Sequence, residues 1–339
     1  MPYQVTIKPS EHVFAVQDDE TILDAALREG FVISYGCRNG ACGTCKGKVL
    51  AGEVDYGVYQ EAALPEAEKQ LGMALFCQAR PRGDIVIECR EIGAAKDIQI
   101  KTLPCRVQKM KRVAADIMLL DLKLPASERL QFLAGQYIDI LLKDGRRRSF
   151  SMASAPHDDE FLQLHVRNYG GPFSEHVFTK MKARDILRFE GPLGTFFLRE
   201  DSDKPIILLA SGTGFAPIKA IVERAFHARN PRPMVLYWGA RVRADLYMNE
   251  LPERWASEHN NFKYVPVLSE PLASDNWTGR TGLVHEVVMK DIADMSGCQV
   301  YACGLPVMVE AAHRDFTSQC GLPEEEFFSD AFTPSMPAA

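Results

Sequence analysis

Residues 35–45 read YGCRNGACGTC and place Cys37, Cys42 and Cys45 in the spacing C-x4-C-x2-C, with Cys77 following 32 positions after the last of them. A [2Fe–2S] cluster needs four thiolates, two for each iron, and this spacing is typical of its binding loop. The small residues between the cysteines allow backbone N–H groups to approach the sulfur atoms. Zinc is the alternative metal, but zinc sites usually contain two C-x2-C pairs, and only one such pair occurs here. The stretch therefore predicts an iron–sulfur domain.

The composition describes a folded, multidomain chain. It has 339 residues, of which 46% are hydrophobic and 25% charged, so two or three domains are expected. The net charge of −6 argues against a general nucleic-acid binder. Nine cysteines cannot all pair within one chain, which favours reduced thiols. The start of the chain has no signal-like apolar region, and no run approaches the ~20 apolar residues of a spanning helix. We therefore expect a cytoplasmic protein without a membrane span.

The charge is unevenly distributed along the chain. Residues 1–92 carry net −5, residues 102–200 carry +4, and residues 201–339 carry −6. A basic segment between two acidic ones can arise from chance variation among solvated faces. Alternatively, the basic middle binds an anion such as a phosphate-bearing cofactor.

Hydrophobic periodicity divides the chain at similar places. Residues 1–92 contain short strand-like runs and one helix, and residues 93–101 are predicted to be a linker. Residues 102–202 contain many short strands with turn signals, which is typical of an all-β barrel or sandwich. Residues 203–332 alternate apolar and helical runs, which predicts a parallel sheet with crossover helices. Residues 333–339 are predicted to be a frayed tail.

The first segment, residues 1–92, resembles plant-type ferredoxins. The resemblance implies a β-grasp fold, one-electron chemistry, and a cluster bound by Cys37, Cys42, Cys45 and Cys77.

A flavin site is suggested by two neighbouring motifs in the basic middle segment. GRRRSFS at 145–151 follows a strand, and GGPFS at 170–174 opens a predicted helix. A Gly-bearing loop before a helix N-terminus suits a phosphate, and a nearby Arg can clamp a pyrophosphate. A solvated turn is the alternative interpretation of the arginines alone.

These motifs resemble the ferredoxin-reductase family of flavoproteins, which implies a Greek-key FAD barrel. In that family the corresponding Arg and Gly-x-x-Ser residues contact the FAD pyrophosphate, and the Ser of the first motif lies near flavin N5. Phe150 stands where the family usually has Tyr. The resemblance implies FAD contacts from Arg148, Ser149, Phe150, Ser151, His165, Val166, Arg167, Gly171, Phe173 and Ser174.

A nicotinamide nucleotide site is suggested by LLASGTGFAP at 208–217, a Gly-rich turn from a strand into a helix. The motif is weak alone, but the same flavoprotein family has a similar one, with Gly where this chain has Ser211. Glu270 stands near the position where NADP enzymes tend to have Arg, which favours NADH, whereas Arg241 and Arg243 keep NADPH possible. The resemblance implies nucleotide contacts from Gly212, Thr213, Gly214, Pro217, Arg241, Asp245, Cys303 and Gly304.

Three residues are candidates for a catalytic role. Ser151 is expected beside flavin N5, and Cys303 beside the nicotinamide, although a small buried Cys at a strand end is an equal alternative. Phe332 ends the aromatic run 327–332, which is either a last core strand or, as in the family, the source of a ring that covers the flavin.

The whole chain resembles the iron–sulfur flavoprotein reductases that feed bacterial oxygenases, and more closely the CDP-6-deoxy-Δ3,4-glucoseen reductases. The closer match is carried by RRSFSMASAP at 147–156, EGPLGTFFLRED at 190–201 and WTGRTGLVH at 277–285. It implies electron flow from NADH (or NADPH) through FAD and the cluster to an acceptor protein. That acceptor is either a pyridoxamine-phosphate-dependent sugar dehydrase or an oxygenase component. A non-catalytic redox-sensing module is the alternative from another class.

Overall fold

The computed structural model describes residues 2–333, and its contacts form two compact units. One unit contains the residues up to Ile98, and the other is Gln99–Phe332. The division falls inside the predicted linker 93–101, where a short 3-10 turn occupies Gly93–Ala95. The bounds proposed above for three separate domains remain a prediction. Apart from Thr333, the predicted tail lies outside the described residues.

The first unit is built on a mixed five-stranded sheet with the strand order β2-β1-β7-β3-β5. Strand β1 pairs with β2 as an antiparallel hairpin and with β7 in parallel, and this confirms the predicted β-grasp fold. A two-stranded ribbon, β4-β6, accompanies the sheet. The elements are β1 Tyr3–Lys8, β2 Val13–Val16, α1 Ile22–Arg28, β3 Lys46–Ala51, β4 Val54–Asp55, α2 Glu66–Gln70, β5 Met73–Leu75, β6 Arg80–Pro81 and β7 Ile85–Glu88.

The start of helix α1 is fastened to the segment that carries the fourth cysteine. Thr21 caps the helix, because its Oγ1 accepts a hydrogen bond from the backbone N–H of Asp24 at 3.1 Å. The backbone N–H of Leu23 donates to the carbonyl oxygen of Phe76 at 2.9 Å. This bond fixes the backbone immediately before Cys77.

The second unit begins with a six-stranded antiparallel sheet in the order β11-β10-β13-β8-β9-β12. Its two edge strands approach each other where Met152 bridges Leu164, so the sheet closes into the predicted barrel. One strand here, Lys101–Ala114, has 14 residues and is longer than the short strands expected for this segment. The elements are β8 Lys101–Ala114, β9 Ile117–Lys123, β10 Tyr137–Leu141, β11 Arg147–Ser151, β12 Leu162–Arg167, α3 Pro172–Thr179 and β13 Ile186–Leu193.

The remainder of this unit is a parallel six-stranded sheet in the order β17-β16-β15-β14-β18-β19. The chain leaves the central strand β14 toward β17 and then returns to β18 on its other side. This reversal is a topological switch point, where open α/β sheets bind ligands. The elements are β14 Ile206–Ser211, α4 Phe215–His227, β15 Met234–Ala240, α5 Glu250–Glu258, β16 Phe262–Leu268, β17 Arg280–Thr281, α6 Val284–Asp291, β18 Gln299–Gly304, α7 Pro306–Gln319 and β19 Phe327–Ala331.

Within residues 2–333, no helix has both the length and the apolar character that crossing a membrane would require.

Candidate functional site

The four predicted metal ligands lie in two pairs in the first unit. A hydrogen bond with the Cys42 thiol lowers the pKa of Cys37 to about 7, and the bond with Cys77 raises the pKa of Cys45 well above its usual value. Among the described residues, no three Cys, His, Asp or Glu side chains form a group that could hold a single metal ion. Four thiols arranged as two pairs match a two-iron cluster, in which each iron is bound by two cysteines.

The loop between these cysteines supplies N–H groups to the sulfur atoms. The backbone N–H groups of Asn39 and Ala41 donate to the Cys37 thiol, and that of Gly40 donates to Cys77. Hydrogen bonds of this kind favour the thiolate form that binds iron. The donor set therefore fits a [2Fe–2S] cluster.

Strand β11 carries the predicted FAD residues of the first motif. The Nη1 of Arg148 donates to the carbonyl oxygen of the preceding residue at 2.7 Å. The hydroxyl of Ser149 donates to Asp139 Oδ1 at 2.6 Å. The ring of Phe150 packs on that of Phe173, with centroids 5.1 Å apart, so two predicted flavin contacts are brought together.

The predicted phosphate loop leaves the start of helix α3 open. A Cβ added at Gly170 would meet no atom within 4 Å, and one at Gly171 would meet only Ser174 Oγ, at 3.8 Å. The Ser174 hydroxyl donates to the carbonyl oxygen of Gly171 at 3.0 Å, which closes the first turn. Exposed backbone before a helix N-terminus is a suitable place for the FAD pyrophosphate.

Strand β12 presents alternate side chains to the barrel core and to the parallel sheet. Val166 is fully buried in the barrel core, so only its backbone is available to a flavin. The ring of His165 lies 2.8 Å (Nδ1) from the hydroxyl oxygen of Tyr247. Burial, with a smaller contribution from Lys219, lowers the pKa of His165 to about 3, and the ring is therefore neutral at physiological pH.

Arg167, on the same strand, lies against Gly212–Gly214, the predicted nucleotide loop. Its Nε donates to Asp116 Oδ2 at 2.7 Å, and its Nη2 lies 3.6 Å from Asp245 Oδ1. The Nε of Arg241 is also 3.6 Å from the Asp245 carboxylate. A Cβ added at Gly212 would lie 2.9 Å from Arg167 Nη1. One carboxylate thus holds an arginine from the barrel and an arginine from the parallel sheet at the same loop.

At the switch point the segment that runs from the end of β14 into α4 lies in close contact with the end of β18. A Cβ at Gly214 would lie 2.1 Å from the carbonyl oxygen of Cys303, and one at Gly304 would lie 2.3 Å from Ser211 Oγ. That Oγ accepts a hydrogen bond from the backbone N–H of Leu305 at 2.9 Å. The serine that departs from the family pattern therefore ties the two strand ends together.

The nucleotide loop itself is supported by an aromatic stack. Trp238 Nε1 donates to the carbonyl oxygen of Gly212 at 3.1 Å, and its ring stacks on Phe215 with centroids 4.0 Å apart. Thr213 is buried in the loop, and Pro217 is buried in the first turn of α4. Because proline has no N–H, Pro217 shapes the helix start and donates no hydrogen bond to a phosphate.

Two more residues were predicted to influence the choice between NADH and NADPH. The backbone N–H of Glu270 donates to the carbonyl oxygen of Arg241 at 2.9 Å, which places the acidic residue next to a predicted nucleotide contact. The Nη1 of Arg243 donates to the carbonyl oxygen of Asp275 at 3.3 Å.

Two of the three catalytic candidates, Ser151 and Cys303, meet at Asp330, a residue that the sequence reasoning missed. The Ser151 hydroxyl donates to Asp330 Oδ2 at 3.0 Å, and Cys303 Sγ lies 4.0 Å from the same oxygen. The backbone N–H of Phe332 donates to the carbonyl oxygen of Gly304 at 2.8 Å. Burial, reinforced by Asp330, raises the pKa of Cys303 well above its usual value. The available signal was an acidic residue two positions before Phe332, at the end of the last strand.

Three family models match the chain in the predicted order. The "2Fe-2S iron-sulfur cluster binding domain" matches residues 5–82, the "Oxidoreductase FAD-binding domain" residues 104–198, and the "Oxidoreductase NAD-binding domain" residues 208–314.

Several proteins match the sequence of this chain over nearly its whole length. CDP-6-deoxy-L-threo-D-glycero-4-hexulose-3-dehydrase reductase of Yersinia pseudotuberculosis serotype I (strain IP32953) is 42% identical over 336 residues, which is 99% of this chain and 100% of that protein. The phenol 2-monooxygenase reductase component DmpP of Pseudomonas sp. (strain CF600) is 34% identical, covering 98% and 95%. The crystal structure of Amycolatopsis cytochrome P450 reductase GcoB is 34% identical, with a TM-score of 0.80 over 98% of this chain and 100% of that one.

These matches confirm the resemblance drawn from the motifs, the fold class and the three cofactors. The chain belongs to the family of iron–sulfur flavoprotein reductases, NAD(P)H-dependent oxidoreductases that pass electrons through FAD and a [2Fe–2S] cluster to a partner protein.

Proposed function

We propose that this reductase uses NADH in preference to NADPH and delivers its electrons to a pyridoxamine-phosphate-dependent sugar dehydrase. The observation that carries the reductase site is the meeting of Ser151 and Cys303 at the Asp330 carboxylate. Ser151 ends a barrel strand, and Cys303 lies near the end of a strand of the parallel sheet. A flavin held by the barrel and a nicotinamide held by the sheet would therefore meet at this position.

FAD, when bound, accepts two electrons as hydride and releases them singly, and so links a nicotinamide to a one-electron cluster. In our proposal the chain's own residues orient the reactants. Asp330 accepts the Ser151 hydrogen bond and fixes the direction of that hydroxyl. The Cys303 thiol stays protonated, because burial raises its pKa, and it would present a neutral group to a bound nicotinamide. Phe332, which packs against the core of the parallel sheet, would cover the flavin position until the nucleotide displaced it.

The phosphate groups are assigned to open backbone and to arginines. Gly212 and Gly214 sit at the start of helix α4, whose N-terminus favours negative charge. Arg167 and Arg241, both held by Asp245, flank this loop with positive charge. On the flavin side, Arg148 and the start of α3 would hold the FAD pyrophosphate.

The preference for NADH rests on Glu270. The backbone N–H of Glu270 donates to the carbonyl oxygen of Arg241, so this acidic residue neighbours the arginine that would meet a 2′-phosphate. A 2′-phosphate at this position would be repelled by the acid, whereas a free ribose hydroxyl can donate a hydrogen bond to it.

The acceptor assignment rests on similarity over the whole length of the chain. The relative from Yersinia pseudotuberculosis is, by its name, the reductase of a CDP-6-deoxyhexulose dehydrase. An oxygenase component is the second candidate, because the phenol 2-monooxygenase reductase component also matches nearly the full chain. In either case the acidic first segment, with net charge −5, favours a partner with a basic docking surface.

We assign the protein to the cytoplasm on the basis of its thiols. None of the nine cysteines, all of which lie within residues 2–333, forms a disulfide, as expected in a reducing compartment.

Reconstitution with candidate acceptors tests the proposal. The purified holoprotein is first titrated anaerobically with NADH and then with NADPH, and flavin and cluster absorbance are followed. It is next mixed with NADH, a pyridoxamine-phosphate-dependent dehydrase and its CDP-hexulose substrate, or with a phenol-hydroxylase oxygenase component and phenol. Faster bleaching by NADH and formation of the deoxysugar support the proposal. Turnover with the oxygenase component alone would overturn the acceptor assignment and leave the reductase function intact.

A further inference from the structure

The side chain of Gln78 lies directly beside the fourth cysteine of the cluster loop. Its Nε2 donates to the carbonyl oxygen of Arg38 at 3.2 Å and to that of Cys77 at 2.9 Å. The same nitrogen lies 3.9 Å from Cys77 Sγ, within hydrogen-bonding range of a sulfur acceptor. Since the amide has two hydrogens, one of them is shared between a carbonyl oxygen and the sulfur. One amide therefore contacts both the loop that follows Cys37 and the segment that carries Cys77.

Two glycines leave the space that Gln78 occupies, because they have no side chains. A Cβ added at Gly40 would lie 3.0 Å from Gln78 Cγ, and also 2.8 Å from the carbonyl oxygen of Val58. A Cβ added at Gly57 would lie 2.6 Å from the carbonyl oxygen of Gln78 and 3.3 Å from its Cβ. Both glycines have a positive φ, +74° and +64°, a conformation that favours this residue type. The Gln78 side chain is thus enclosed on two sides and held in one position.

We propose that Gln78 is a positioning residue that raises the reduction potential of the cluster by directing an amide N–H at the Cys77 sulfur. The reduced cluster carries one more negative charge than the oxidised one. A donor to a ligand sulfur therefore stabilises the reduced form more than the oxidised form, and the potential rises. The electron is the one that the flavin supplies, and no covalent bond changes. The inference rests on the assignment of Cys77 as a cluster ligand.

The test compares three variants of the full-length holoprotein. Gln78→Leu and Gln78→Met both remove the amide and keep a side chain of similar length. Gln70→Leu makes the same replacement at an exposed position of helix α2 and serves as the matched control. The cluster potential is measured by redox titration of the EPR signal of the reduced cluster, and the flavin potential by absorbance in the same samples.

We expect the equilibrium constant for cluster reduction to fall about tenfold in both Gln78 variants, a shift of ~59 mV for one electron. The flavin potential and the Gln70→Leu protein should be unchanged. An unchanged cluster potential in either Gln78 variant would overturn the inference. Loss of the cluster from both, while Gln70→Leu retains it, would overturn it as well, because Gln78 would then only hold the loop together. A wild-type protein without a cluster spectrum would instead defeat the ligand assignment.

Discussion

The contact between Gly214 and Cys303 leads to a sharp prediction for the Gly214→Ala variant. The new Cβ would lie 2.1 Å from the Cys303 carbonyl oxygen, 2.5 Å from its carbonyl carbon and 2.8 Å from Gly304 Cα. All three atoms belong to the backbone, so no side chain can rotate away. To reach the 3.0 Å below which Cβ contacts essentially never occur, the closest pair must separate by 0.9 Å.

This separation would displace either the start of helix α4 or the end of strand β18. The first carries the proposed nucleotide loop and the second carries Cys303. A misplacement of ~1 Å can lower the rate of a positioned reaction about 100-fold. Overpacking of this kind costs about 1–3 kcal/mol of unfolding free energy, so the variant should still fold. We therefore expect kcat/KM for NADH to fall about 100-fold while FAD remains bound.

The assay is NADH-driven reduction of ferricyanide, which takes electrons from the flavin, together with FAD content by absorbance and stability by urea unfolding. Gly297→Ala is the matched control, because a Cβ at Gly297 meets nothing within 4 Å. A Gly214→Ala protein that is stable, loaded with FAD and undiminished in kcat/KM would refute the argument that this backbone contact sets the nucleotide geometry.

Three further predictions concern the cluster, the nucleotide and pH. Cys77→Ser should reduce electron delivery to the acceptor protein to background and leave NADH-driven ferricyanide reduction near the wild-type rate; a parallel loss of both activities would contradict the order of the redox centres. Glu270→Arg should raise the ratio of kcat/KM for NADPH to that for NADH about tenfold or more, since a charge-assisted hydrogen bond to the 2′-phosphate contributes about 1.5–3 kcal/mol; an unchanged ratio would remove Glu270 from the specificity argument. Burial lowers the pKa of His165 in the folded protein to about 3, from its ordinary value of 6.5. Below pH 6.5 the unfolded state therefore binds a proton that the folded state does not, and the free energy of unfolding decreases as the pH is lowered. At pH 5 this proton uptake lowers the free energy of unfolding by about 2 kcal/mol relative to neutral pH. Urea unfolding at pH 5 and pH 7.5 should therefore show a smaller pH dependence of stability in His165→Gln than in the wild type. An equal pH dependence in the two proteins would contradict the lowered pKa of His165.

The parts of the site that could be predicted are those formed by residues close together in the sequence. Cys37, Cys42 and Cys45 lie within nine positions, so their spacing alone restricts the geometry of the loop. The strand-to-helix turn at Gly212–Gly214 is local in the same way. In both cases the residues that contact the ligand and the backbone that shapes the turn are the same few residues.

Asp330 was not predictable on these grounds, because strand pairing brings it to the site. Strand β19 pairs in parallel with β18, in the register that sets Asp330 beside Cys303. Its other partner, Ser151, is 179 residues away in the chain. The one local signal, an acidic residue two positions before Phe332, does not by itself distinguish a site residue from an ordinary strand residue.

The orientation of β12 shows a different limit. Alternation along the strand indicates that His165 and Arg167 share one face and Val166 the other. It does not indicate which face meets the flavin and which meets the neighbouring sheet. The structure directs His165 to Tyr247 and Arg167 to Asp116 and Asp245, so two residues expected to contact FAD lie where the barrel meets the nucleotide sheet.

The glycine motif at the switch point shows at which positions a residue other than glycine can be accommodated. Ser211 replaces a glycine of the family pattern, and its hydroxyl accepts the backbone N–H of Leu305. A side chain is therefore accommodated at that position because it gains a hydrogen-bond partner on the opposite strand. Gly214 has only backbone carbonyl and Cα atoms in front of it, and Gly304 has φ +133° with Ser211 directly opposite. At those two positions the approach of β14 to β18 leaves no room for a Cβ, so the structure requires glycine there whatever nucleotide is bound.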